Sequence, residues 1–106
     1  MGKIYIQQKG RSYDIKDENG KLLDHLMVSS SGEIIASGET YFITKIQGNY
    51  NVYGLTGQFL VVVKSFTSSQ LDEIVSTDKN SFEILVGRWI EKYNDRGSLI
   101  GNRLAK

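Results

Sequence analysis

Along most of this chain apolar and polar positions alternate in short runs, and a glycine stands near the end of nearly every run, at positions 10, 20, 32, 38, 48, 54 and 57. Period-two alternation between turn residues predicts a succession of short antiparallel strands. The densest stretch runs from Glu39 to Phe66, rich in β-branched and aromatic residues and cut at Gln47-Gly48-Asn49 and Thr56-Gly57. It predicts a three-strand meander. Ahead of it, Lys3 to Gln8 alternates as a first strand. Tyr13 to Val28 folds as a hairpin around Asp17-Glu18-Asn19-Gly20, where Asn-Gly tolerates the positive φ of a tight turn. Ser29 to Gly32 is a polar break, and Gly32 to Gly38 a further short strand.

Beyond Phe66 the period lengthens. Thr67 to Val75 has hydroxyls at a capping position, acids in the first turn and apolar residues at 71, 74 and 75, which predicts a short helix. In Asn80 to Gly97 the apolar residues Phe82, Leu85, Val86, Trp89, Ile90 and Tyr93 recur at steps of three and four, the mark of an amphipathic helix, with Asn80 as its cap and Gly97 at its end. Gly87 would cost this helix about 1 kcal/mol relative to alanine. The rival reading makes 82–93 strands and Asn94-Asp95-Arg96-Gly97 a hairpin turn. The fold class expected is therefore α+β: a single domain over 1–106, with an antiparallel meander sheet of about six or seven strands and two C-terminal helices packed on one face.

Composition narrows the chemistry. The chain has 106 residues and no cysteine, which removes disulfides, thiolate metal sites and thiol nucleophiles. Thirteen basic and twelve acidic side chains leave a formal charge of +1, well short of the basic excess of a dedicated nucleic-acid binder. Proline is absent. No apolar run approaches the length of a membrane span and the opening residues carry no secretory pattern, so the expected setting is cytoplasmic, without a membrane partner.

Candidate catalytic groups are few. His25 is the only histidine, so no HExxH or HxH pair exists, and the serines at 29–31 lack an elbow motif or a second histidine to activate them. Asp14, Asp17, Glu18 and Asp24 crowd one hairpin without completing a calcium loop. The glycines around Tyr53-Gly54-Leu55-Thr56-Gly57 form no phosphate cradle. No cofactor or metal and no enzymatic activity is expected. Tyr41, Phe42, Tyr50, Tyr53 and Phe59, with Lys45 and Lys64 nearby, make the composition of an aromatic and basic strand surface. Tyr50, Tyr53, Lys45 and Lys64, with Arg88 on the outer side of the expected second helix, are the candidate binding residues. Trp89 and Tyr93 are expected as core anchors.

Two stretches resemble a known family. Thr56-Gly57-Gln58-Phe59-Leu60-Val61-Val62, followed by a terminal segment with Ile90-Glu91-Lys92-Tyr93 and Gly97, resembles the C-terminal part of profilins over residues 48–97. The resemblance implies a strand leading into a long helix packed across an antiparallel sheet, with actin contacts on the outer faces of strand 58–66 and helix 81–95. Polyproline binding in that family needs an N-terminal helix, and here MGKIYIQQKG stands in its place. Roadblock and longin modules share the general architecture, and a bent sheet with a terminal helix also describes PH-like barrels.

The function expected is a non-catalytic protein-binding or adaptor module, recruiting a protein partner or self-associating at an open sheet edge. The alternative is single-stranded nucleic-acid binding through the aromatic strands, and the third is a small-ligand-binding barrel.

Overall fold

A computed structural model describes residues 2–105. The chain forms β1 (Tyr5–Lys9), β2 (Ser12–Lys16), β3 (Leu22–Met27), a single helical turn α1 (Val28–Ser31), β4 (Glu33–Ser37), β5 (Tyr41–Ile46), β6 (Asn49–Thr56), β7 (Phe59–Thr67), β8 (Glu73–Thr77), β9 (Ser81–Val86), β10 (Trp89–Asn94) and β11 (Leu99–Leu104). These make three antiparallel meanders in chain order: β1-β2-β3, β4-β5-β6-β7 and β8-β9-β10-β11. The hairpin at Asp17–Gly20, the strand after Gly32 and the three strands between Glu39 and Phe66 stand where the sequence pattern puts them.

The two C-terminal helices do not exist, and the α+β class gives way to an almost all-β architecture of three small sheets. Thr67–Gln70 is a turn, closed by Gln70 N–H donating to the Thr67 carbonyl (2.9 Å), and β8 follows it. Residues 82–93 are β9 and β10, joined at Gly87-Arg88, with Gly87 at φ +62°. Phe82, Ile84, Val86, Trp89 and Tyr93 lie on one face, while Leu85 and Ile90 lie on the other, since directly paired residues share a face. The tight turn shifts the phase between two period-two runs, and their sum mimics steps of three and four.

The meanders stack face to face with the second in the middle. Its Tyr41, Ile43, Tyr50, Val52 and Phe66 pack against Phe82, Ile84 and Tyr93 of the third. From its opposite face Phe42 packs with Ile4, Tyr13, Ile15 and Leu26 of the first. Sheets this small cannot bury a face alone, so stacking makes the core. The strand-to-strand tips are also linked: Ile4 N–H donates to the Glu39 carbonyl (2.7 Å), and Glu39 N–H to that of Lys79 (2.8 Å).

The three units are repeats. Their second and third members open on the related strands Glu33-Ile34-Ile35-Ala36-Ser37 and Glu73-Ile74-Val75-Ser76-Thr77, which pair with the next strand in the same register and carry a β-bulge at the same place. Aligned on the hairpins at Gly10, Gly48 and Gly87, core positions Ile6 and Ile43 correspond to Glu83, and Ile15 and Val52 to Lys92. At the other end Phe42 and Phe82 correspond to Tyr5, and Tyr53 and Tyr93 to Lys16. Four positions that pack between sheets in the middle unit are thus Tyr5, Lys16, Glu83 and Lys92 on the two outward faces of the described stack.

Candidate functional site

β7 forms one edge of the middle sheet. At nine residues it is the longest strand, and Phe59-Leu60-Val61-Val62-Val63 contains no charge and no proline. Edge strands are ordinarily shielded by charge, by shortness or by cover. The other outer edges follow that rule better: β3 carries Asp24 and His25, and β11 carries Gly101 and Arg103. Phe59 is 74% exposed, and Val61 and Val62 are also exposed. Because Thr56 and Phe59 flank a two-residue turn, alternation of the ladder turns the main-chain groups of Leu60 and Val62 to the open edge.

Beside the C-terminal half of β7 a groove of about 350 Å³ opens between the second and third sheets, lined by Lys64, Phe66, Gln70, Val86, Glu91 and Tyr93 among others. The Lys64 amine lies over the rings of Phe66 (5.6 Å) and Tyr93 (5.8 Å). The Tyr93 hydroxyl donates to Glu91 Oε1 at 2.8 Å. Burial, reinforced by that carboxylate, pushes the Tyr93 phenol up to about 12, so at neutral pH it is a donor and not a base. One cation, one carboxylate, an amide and hydroxyls around an aromatic floor suit the polar groups of a polypeptide.

The candidate residues divide. Lys64 lines the groove, and Tyr50 lies on the same sheet face but is buried in the core, with the Lys45 amine 5.4 Å from its ring centre. Tyr53 points to the opposite face, stacked on Phe42 against the first sheet. Arg88 sits in the β9–β10 turn, where its carbonyl accepts the Ala105 N–H (2.8 Å). Tyr50 and Tyr53 therefore do not form a shared stacking platform. Trp89, expected in the core, is 46% exposed and pairs across strands with exposed Leu104. Leu99 and Ile100 extend this apolar margin on β11. The sequence pattern missed it because Trp89 does share the face of Phe82 and Tyr93; its exposure goes with its place at the first residue of β10, beside the exposed Gly87-Arg88 turn.

A second polar cluster lies on the outer face of the first sheet. His25 Nδ1 is 2.6 Å from Asp14 Oδ1, and Lys9 Nζ is 3.0 Å from Asp14 Oδ2. The hydrogen bonds from His25 and then Lys9 hold the Asp14 carboxyl below its usual range. Among the described residues no group of three or more histidine, aspartate or glutamate side chains is placed to hold a metal ion. No helix among them is long and apolar enough to cross a membrane. The chain matches no protein-family model and no curated protein.

Proposed function

We propose that this protein is a binding module that takes up a partner polypeptide in extended conformation along β7, with the groove at Lys64, Glu91 and Tyr93 receiving a polar side chain of that partner. The carrying observation is the uncharged, unshielded edge Phe59–Val63 on the longest strand. Strand addition draws affinity from main-chain hydrogen bonds and specificity from neighbouring pockets. The edge supplies the first through Leu60 and Val62, and the groove supplies the second.

Selection from a displayed random-peptide library tests this. Enriched peptides should share an alternating apolar pattern, protect the amides of Leu60 and Val62 from hydrogen exchange, and lose affinity for a Val62→Lys variant of unchanged melting temperature. Enrichment of peptides that protect other segments, or no enrichment, would overturn the assignment.

A further inference from the structure

The uncharged run on β7 is complementary to itself. Phe59-Leu60-Val61-Val62-Val63 is apolar at every position, so the same run laid antiparallel against it meets no charge and no polar side chain. We propose that β7 also pairs with β7 of a second copy of this chain, antiparallel about a two-fold axis at Val61, and that this pairing covers the groove at Lys64. The inference rests on the same open edge as the peptide reading and names what occupies it when no peptide is bound.

The main chain selects the register. In a symmetric antiparallel pair the axis passes through a residue that stands opposite its own copy. With the axis at Val61, Leu60 opposes Val62 of the second copy and Val62 opposes Leu60. These are the residues whose N–H and C=O groups face outward, so every outward group of the run gains a partner. An axis at Leu60 would instead set Val62 against Gln58, which lies in the turn before β7 and continues no ladder. An axis at Val62 would set Leu60 against Lys64, beyond the β-bulge at Val63, and place a charge opposite an apolar residue.

The side chains agree with the axis at Val61. Exposed Val61 then meets its own copy in a pair that is not hydrogen-bonded, where side chains approach most closely. Phe59 lies on the same face as Val61, and that face is turned to the third sheet, because Val61 pairs with Gly54 and Gly54 with Tyr41, whose ring packs on Phe82. An axis perpendicular to the sheet keeps this face on one side in both copies. Phe59 of one copy therefore opposes Val63 of the other, which packs against the core between the second and third sheets, and its ring reaches the mouth of the groove lined by Lys64, Phe66 and Tyr93. A ring that is mostly exposed in the single chain leaves water, once in each direction across the axis. Lys64 stands opposite Gln58 of the second copy, so no like charges meet.

Sedimentation equilibrium of the full chain should show a concentration-dependent dimer. Val61→Lys and Val61→Glu should each weaken it roughly tenfold, because like charges then stand directly opposed, and mixing the two variants should restore it. Val61→Cys gives a second reading that adds no charge. The chain has no cysteine of its own, and residues opposed in such a pair lie within disulfide reach, so mild oxidation should link the copies far faster than in Phe59→Cys, whose copies lie apart. A chain that stays monomeric at every concentration, a dimer indifferent to both charge variants, or a disulfide-linked Val61→Cys dimer that still takes up peptides along β7 would each overturn the proposal. A monomer that nevertheless selects peptides protecting Leu60 and Val62 overturns self-pairing alone, whereas a dimer restored by mixing the charge variants, from which no peptide is enriched, supports self-pairing and removes only the peptide reading.

Discussion

Tyr53 lies flat on Phe42 across the β5–β6 ladder, ring centroids 4.9 Å apart and planes 9° from parallel, and Tyr93 repeats the arrangement on Phe82 at 5.6 Å and 16°. Each pair faces the preceding sheet. In the first sheet Tyr5, which is exposed, and Lys16, which is half-buried, hold the same positions. The aromatic pair is therefore the contact unit between successive described sheets.

This places the stability of the third sheet on Phe82 rather than Trp89. Phe82 is fully enclosed and touches Tyr41 and Tyr93, so Phe82→Ala should cost about 3 to 5 kcal/mol. Trp89, nearly half exposed, should cost about 1 kcal/mol or less as Trp89→Ala. Urea denaturation midpoints of the two variants provide the comparison, and a Trp89→Ala loss equal to that of Phe82→Ala would return the indole to the core.

Much of the local structure was legible because its causes are local. Asn19-Gly20 fixes a hairpin through backbone preference, and Ile4 and Ile6 alternate with polar residues whatever lies beyond them. The C-terminal third misled because Gly87-Arg88 reset the alternation, so one helical stripe and two half-buried strands gave the same spacing. Global order was legible only through the repeat: Glu33-Ile34-Ile35-Ala36-Ser37 against Glu73-Ile74-Val75-Ser76-Thr77, with hairpin glycines at 10, 48 and 87, would have indicated stacked units. The first sheet hides it because no such opening strand precedes β1 among the described residues. Of the candidate site, the run Phe59–Val63 is visible in the sequence, but its position at an edge depends on sheet order, which no residue encodes alone.

Alkaline pH should loosen the stack at two defined tyrosines. Burial raises both Tyr41 and Tyr93 to about 12; the Tyr41 hydroxyl donates to the Ser81 carbonyl at 2.7 Å. A phenol whose folded pKa exceeds its unfolded value stabilises fully below the unfolded value, near 10, and that contribution is lost as pH rises toward 12. Each should remove about 1.4 kcal/mol per pH unit across this window. Tyr41→Phe should flatten the slope of melting temperature against pH between 10 and 12, and an unchanged slope would mean that the Tyr41 hydroxyl is solvated.

Acid should act on the first and third sheets through Asp14 and Glu83. Asp14 is held low by His25 and Lys9; Glu83 is held low by its ion pair with Arg103 and by the Ser76 hydroxyl. A carboxylate with a depressed folded pKa stabilises above its unfolded value, and that stability disappears as pH falls through the folded one. Asp14→Asn and Glu83→Gln should each make stability less dependent on pH on the acid side, and added salt should shrink the effect because both pairs lie at the surface. Chemical denaturation at stepped pH values between neutrality and 3 reads this directly; an acid limb identical to that of the unaltered protein would remove these pairs from the account.

Thr44 is fully buried in β5, and its hydroxyl has no hydrogen-bond partner. Unmatched burial of a hydroxyl costs about 1 to 3 kcal/mol, and replacing it with an apolar group of the same shape relieves that cost. The repeat supports the exchange, since the equivalent position on β9 is Ile84, buried against the same middle sheet from the other side. Thr44→Val should therefore raise stability by about 1 kcal/mol without altering the fold, seen as a higher urea midpoint at unchanged slope. A loss of stability would show that the Thr44 hydroxyl is satisfied in solution, by water or by a shifted neighbour between the first and second sheets.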